Sequence, residues 1–157
     1  PLSRMEELGC EIGNHSFDHA DLATLSAEDV TSQLSRTDEE IQNLVGHSAT
    51  VVRPPYGSFN DTVAGIAARP LIMWSVDTLD WETQNADSTV QNVMDNAQDG
   101  AIILMHDIFE TSVTAALACV DRLMAQGYYF VTVEELFALR GEVPQEGGVY
   151  LSLPPKT

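Results

Sequence analysis

The residues best suited to chemistry are His15 and His19, in the stretch Asn14-His15-Ser16-Phe17-Asp18-His19. On a helical turn, side chains four apart share a face, and a tight loop can achieve the same, so both imidazoles can reach one ion. Neutral imidazole is a good ligand for Zn²⁺ and similar ions. The plainer alternative is a pair of polar loop histidines. A catalytic zinc site takes three protein ligands and one open position. Asp18, Asp21 and Asp77 are the candidates for the third within the chain, and a carboxylate from outside it is the stronger one. Three more polar clusters follow: Arg53-Pro54-Pro55-Tyr56-Gly57, Asp77-Thr78-Leu79-Asp80-Trp81 and His106-Asp107. Asp80 or Asp77 beside His106 would make a pair in which the carboxylate orients the imidazole, leaving the imidazolium as general acid. A guanidinium at Arg53 wants a carboxylate, either as a structural pair with Asp77 or Asp80 or in an active site. Trp81 is a sugar-stacking platform or a core residue.

These clusters need elements to position them. Residues 2–8 read as the last turns of a helix stopped by Gly9, so the chain is expected to begin inside a structural unit, and a lost leader stays open because it begins Pro1-Leu2-Ser3. A strand is expected at 10–14. Ser26 opens a long helix with Val30, Leu34, Thr37, Ile41, Leu44 and Val45 on one face, ended by Gly46. A strand at 49–52 runs into the Pro-Pro turn. Asn60 or Asp61 caps a helix to Arg69, and 71–76 reads as a buried strand. Ser88-Thr89-Val90-Gln91 has a capping-box pattern for a helix with Val90, Val93, Met94 and Ala97 inward. A strand at 101–105 leads to His106. The next helix is expected to turn Val113, Ala116, Leu117, Val120, Leu123 and Met124 inward. Residues 128–131 read as a strand, Thr132 to Glu135 as a capping box, and 142–157 as an irregular tail.

Alternating buried strands and helices are the signature of a parallel α/β sheet or barrel. Four strand ends carry polar clusters. In (β/α) barrels the active site gathers at the C-terminal ends of several strands, whereas an open sheet draws on fewer at its switch point. A barrel is therefore expected. The 157 residues fall short of the roughly 200 usual for one, which implies a barrel incomplete at its N-terminus. No interdomain linker is evident, so residues 1–157 are expected to form one domain. The formal net charge of −17 argues against nucleic acid or an anionic membrane surface as partner. No run of 18 apolar residues suggests a membrane span. Cys10 and Cys119 form no ligand pattern and are expected to be two buried thiols.

The set NHSFDH, RPPYG, DTLDW and ILMH, in this order, resembles the polysaccharide deacetylases, the NodB-homology domain of carbohydrate esterase family 4. Each motif alone is unspecific; four in order at strand ends are specific. The resemblance spans about Glu6 to Tyr150. It implies a distorted (β/α) barrel, with His15 and His19 as ligands of one divalent metal ion, zinc being the usual one. It implies that Arg53 orients the catalytic base, that the Tyr56 backbone N–H contributes to the oxyanion hole, and that Asp80 pairs with His106 as general acid. Trp81 and Leu104 would line the substrate groove, with Asp77 supporting the polar network. The chain departs from the family in lacking the earlier Asp-Asp motif that supplies the base and the third ligand.

The function expected from the resemblance is metal-dependent removal of acetyl groups from N-acetylglucosamine residues of a peptidoglycan- or chitin-type polysaccharide. An N-terminal fragment of the same gene product would supply the missing Asp-Asp motif, and the location would be secreted or cell surface. The alternatives are a catalytically incomplete carbohydrate-binding remnant and an acetylxylan esterase.

Overall fold

The computed structural model describes residues 1–156. In chain order its elements are α1 (Leu2–Glu7), α2 (Ala27–Val45), α3 (Asp61–Ala67), β1 (Leu71–Ile72), β2 (Val76–Asp77), α4 (Asp80–Thr83), α5 (Ala86–Asn96), β3 (Ile103–Leu104), α6 (Glu110–Ala125), α7 (Val133–Arg140) and β4 (Val149–Tyr150). They fall into two compact units, residues 1–73 with 132–150, and residues 74–131 with the segment from Leu151. No helix among the described residues is long and apolar enough to cross a membrane.

In the first unit, local sequence sets the helix ends. Ser26 Oγ accepts the Asp29 N–H, Glu28 and Asp29 put negative charge where the helix dipole favours it, and Gly46 at φ +90° ends α2. Val30, Leu34 and Ile41 are buried. Leu44 is 54% exposed instead of buried: it lies about 100° round the axis from Val45, and Val45 takes the contact with Ile12, Ile41 and Ala49. Asn60 caps α3 and Thr132 forms a full capping box with Glu135 at α7. Leu22, Val30, Leu34, Val52, Val63, Ala67 and Leu71 make the core.

The expected strands at 10–14 and 49–52 shrink to single parallel bridges, Asn14 with Val52 and Val52 with Leu71. β1 then pairs in parallel with β4, Leu71 opposite Val149. Residues 14, 52, 71 and 149 thus lie in four parallel neighbouring segments. β4 also corrects the expectation of an irregular tail: the Leu71 N–H reaches the Gly148 carbonyl at 2.8 Å, and the Met73 N–H reaches that of Tyr150 at 2.8 Å.

In the second unit, the run expected as one strand at 71–76 is interrupted. β1 ends at Ile72, and β2 begins at Val76 and pairs in parallel with β3, Val76 opposite Ile103. The cap of α5 is Asn85, whose Oδ1 accepts the Ser88 N–H at 2.9 Å; the Ser88 pattern lies inside the helix. On α6 the buried stripe is Ser112, Ala115, Cys119 and Leu123, the last three packed with Val90 and Val93 of α5. Val113, Leu117 and Met124, expected inward, are exposed. The helix carries two apolar stripes, and the one with small residues permits close packing on α5. Tyr128–Val131, expected as a strand, is not in one among the described residues, and Tyr129 is 87% exposed. Residues with strand propensity become a strand only when a ladder partner exists. Cys119 is buried, but Cys10 is exposed, and both are free thiols.

Candidate metal and acid–base site

The histidine loop of the first unit is built on Asn14, which is fully buried. Its backbone is held on both sides, N–H to the Val51 carbonyl at 3.0 Å and carbonyl to the Arg53 N–H at 2.9 Å. Its side-chain Nδ2 donates to the Leu34 carbonyl and to Asp38 Oδ1, both at 2.9 Å. Its Oδ1 accepts the Ser16 N–H at 3.0 Å. Asp38 is in turn gripped by Arg69 at 2.9 Å through both terminal guanidinium nitrogens. Gln33 Oε1 on α2 accepts the N–H groups of Phe17 and Asp18 at 2.9 and 3.2 Å. These anchors fix a loop in which Ser16 and His19 hold left-handed backbone, φ +63° and +62°, a conformation that costs a non-glycine residue free energy.

The loop brings His15 and His19 together, ring centroids 5.0 Å apart and edge to face. His15 Nδ1 bonds the Arg53 carbonyl. A carbonyl only accepts, so Nδ1 carries the proton and the lone pair sits on Nε2, the tautomer that a metal-ligating histidine adopts when a carbonyl holds its other nitrogen. The pair fits a divalent ion as two donors. Among the described residues, no group of three His, Cys, Asp or Glu side chains is placed to hold one. Asp21 is committed to capping the turn at Leu22–Thr24, Asp18 is exposed, and Asp77 belongs to the second unit.

Arg53 corrects the expectation of a carboxylate partner in this chain. Its Nε donates to the Ile72 carbonyl at 3.0 Å and a terminal nitrogen donates to that of Met73 at 3.1 Å. It makes no ion pair among the described residues. Burial lowers its pKa from the ordinary guanidinium value. The Tyr56 ring packs on His19, centroids 4.7 Å apart. Tyr56 sits at φ +59° in the turn that follows the two prolines.

The second unit carries the other pair. Asp80 opens α4 and is 1% exposed. Its Oδ1 takes the His106 Nδ1–H at 2.9 Å and its Oδ2 takes the His106 backbone N–H at 2.7 Å. The ring is therefore locked, with its proton on Nδ1 and Nε2 left to exchange a proton. Burial pushes the Asp80 carboxyl up; the nearby Ser112 hydroxyl and the His106 ring and N–H push it down further, and it ends below its ordinary value. Of the two carboxylates expected as partner for His106, the structure selects Asp80. Asp77 instead accepts the Leu79 N–H at 3.0 Å, shaping the turn that presents Asp80. Trp81 is 49% exposed, whereas Leu104 is buried at 8% and its carbonyl accepts the Thr78 hydroxyl at 2.8 Å. The sequence singled out every one of these motif residues, but not the supporting roles of Asn14 and Ser112, polar side chains in buried positions, or of the half-buried Gln33.

Residues 1–70 match the sequence profile of the polysaccharide deacetylase domain. A solved deacetylase with bound substrate is 40% identical and superposes with a TM-score of 0.90, covering 95% of this chain and 74% of that one. The chain belongs to the polysaccharide deacetylase family. Other members include a peptidoglycan-N-acetylglucosamine deacetylase of Listeria monocytogenes, 40% identical over 95% of this chain and 31% of its own length. A family 4 acetyl xylan esterase of Clostridium thermocellum, solved with a cobalt ion, is 30% identical with a TM-score of 0.91, covering 98% of this chain and 77% of that one. The α/β fold of the chain is therefore that of carbohydrate esterase family 4, and the chain spans about a third of the length of the curated Listeria relative.

Proposed function

We propose that residues 1–157 are the larger part of one NodB-homology catalytic domain that removes acetyl groups from N-acetylglucosamine residues of a peptidoglycan- or chitin-type polysaccharide. The observation that carries this reading is the His15–His19 pair, with the His15 tautomer set by the Arg53 carbonyl. His15 and His19 would hold one divalent ion, zinc being the first choice for two imidazoles and a carboxylate, though such sites accept other ions. When bound, the ion supplies Lewis acidity toward the amide carbonyl and a water of lowered pKa.

His106, oriented by Asp80, protonates the leaving sugar amine through Nε2. The Tyr56 N–H donates to the oxyanion. Arg53, a buried cation with carbonyl partners and no carboxylate among the described residues, orients the base, an aspartate from an N-terminal fragment of the same gene product that also brings the third ligand. Trp81 offers an exposed ring to the sugar, with Leu104 behind the groove and Asp77 holding the loop. A cell-wall or chitinous substrate places the protein outside the cell or on its surface.

Native mass spectrometry of the purified protein with added Zn²⁺ reads polypeptide content and metal together. One ion bound by wild type, lost in His15→Ala, supports the site. Acetate release from chitin oligomers, peptidoglycan and acetylxylan then ranks the substrates, and acetylxylan as the only substrate would replace this reading with the esterase one. A second reading, a carbohydrate-binding remnant without turnover, is favoured by the want of a third ligand among the described residues; glycan binding by a lone chain that takes up no metal would establish it.

A further inference from the structure

The histidine loop leans on a charged pair that lies outside every motif stretch. Asp38 on α2 and Arg69 just after α3 are 31 residues apart, and their side chains are only 22% and 20% exposed. Taking two charges out of water is expensive, and apolar side chains in their place are often as stable. Stability alone therefore does not call for this pair.

The geometry gives it another use. The guanidinium meets the carboxylate as a fork, one terminal nitrogen on Oδ1 and the other on Oδ2, both at 2.9 Å. Other donors of the same group reach the Ala49 carbonyl at 2.7 Å and the Ala67 carbonyl at 3.2 Å. A fork held on three sides fixes the plane of the carboxylate. Asp38 Oδ1 keeps a further lone pair, and it takes Asn14 Nδ2 at 2.9 Å. The Leu34 carbonyl, one turn earlier on the same face of α2, takes Nδ2 as well. Both partners only accept, so the NH₂ end of the amide faces them and Oδ1 is turned to the Ser16 N–H. Ser16 lies between the two histidines at φ +63°, a conformation that relaxes unless it is held.

We propose that Asp38 and Arg69 are positioning residues for the histidine loop: the Arg69 fork fixes the Asp38 carboxylate, the carboxylate holds the Asn14 amide, and the amide holds the backbone that presents His15 and His19. The consequence for a bound ion rests on the proposed metal site; the hold on the loop does not.

The test reads the loop in the metal-free chain by NMR. The double variant Asp38→Leu/Arg69→Met leaves no orphan charge, so it should keep the fold, but it deprives Asn14 of one acceptor. Exchange of the Ser16 amide should speed up about tenfold, the effect of losing one bond to a charged group, and the Asn14 Nδ2 protons should exchange faster too. The Ile72 N–H, bonded to the Val52 carbonyl at 2.8 Å in the core of the same unit, is the control, because general loosening would speed both amides alike. Arg69→Lys keeps the charge without the fork, should shift Ser16 exchange in the same direction, and carries the test alone if the double variant does not fold. Ser16 exchange unchanged relative to Ile72 would overturn the proposal, and so would an Arg69→Lys variant that matches wild type. Calorimetry with Zn²⁺ should show Kd raised about tenfold, as for other residues that orient metal ligands; an unchanged Kd beside a loosened loop would overturn the link to the ion. If wild type takes up no Zn²⁺ while the exchange effects appear, the metal reading fails and the assignment of Asp38 and Arg69 to the loop stands.

Discussion

Replacing Asp80 by alanine removes two acceptors at once. The carboxylate is 1% exposed and takes the His106 ring at 2.9 Å and the His106 backbone N–H at 2.7 Å. A bond to a charged group contributes roughly 1.5–3 kcal/mol when its partner is dry. The His106 side chain is 34% exposed, so water recovers part of the ring's bond, and the loss falls mainly on the backbone N–H. The expected cost is about 2–3 kcal/mol. Asparagine behaves differently. Its amide oxygen keeps the backbone bond, while its NH₂ meets Nδ1–H donor to donor. Moving the imidazole proton to Nε2 relieves that clash, so Asp80→Asn should cost only about 1 kcal/mol but invert the His106 tautomer. Both tryptophans, Trp74 and Trp81, lie in the second unit, so urea unfolding followed by their fluorescence reports that unit alone, and ¹⁵N shifts of His106 report the tautomer. An alanine variant within about 0.5 kcal/mol of wild type, or an asparagine variant with the proton still on Nδ1, would refute the reasoning.

The same carboxyl sets an acid limb. Asp80 is held below its ordinary value, so its stabilisation is fully present above the unfolded carboxyl value of about 3.9 and is lost as pH falls through the lower folded value; Asp80→Asn should flatten the tryptophan-monitored limb there, and an unaltered limb counts against the assignment. Asn14→Ala leaves Asp38 and the Leu34 carbonyl short of a donor and the Ser16 N–H short of an acceptor, so it should cost about 3 kcal/mol and weaken Zn²⁺ binding measured by calorimetry. At Gly100, φ +83°, a Cβ would lie 1.9 Å from the Leu153 carbonyl oxygen; Gly100→Ala should break the Leu153 N–H to Gly100 bond of 2.8 Å and expose the segment after Leu151 to limited proteolysis, and a protease pattern like that of wild type would show the backbone yields.

The α/β fold class was legible in the sequence from its alternating strands and helices, and so were the polar residues of the motifs. His15, His19, Arg53, Asp80 and His106 declare themselves because polar residues at the ends of apolar runs have little structural reason to be there. Capping signals were equally legible at Ser26 and Thr132, where one hydroxyl meets one backbone N–H within three residues. What failed depended on partners distant in the chain. The apolar run at 71–76 carries no mark of the point where it passes from pairing with Val149 to pairing with Ile103. The two apolar stripes of α6 are similar in hydrophobicity, and only the small side chains of Ala115 and Cys119 distinguish the one that fits α5. Arg53 read as a cation in search of a carboxylate; nothing local announces that the Ile72 and Met73 carbonyls take it.

Backbone strain ties the loops to the motifs. Among the described residues six non-glycine residues have positive φ, and four of them, Ser16, His19, Tyr56 and Leu79, lie inside the motif stretches. Each costs about 1 kcal/mol or more, so something must hold them: the hydrogen bonds of Asn14 and Gln33 hold the histidine loop, those of the Gly57 and Ser58 N–H to the Pro54 and Pro55 carbonyls hold the Tyr56 turn, and Asp77 holds Leu79 in the other unit. Leu79 tests this cleanly, because no ligand role is assigned to its side chain. At φ +55°, Leu79→Ala keeps the strain and loses the packing, and should destabilise by about 1 kcal/mol. Leu79→Gly loses the same packing but relieves the strain, so glycine should be more stable than alanine here by about 0.5–1 kcal/mol, the reverse of its rank inside helices and strands. If urea unfolding ranks alanine above glycine, the Asp77 turn imposes no left-handed cost, and the strain at the other three motif positions loses its support as a feature the fold maintains for the site.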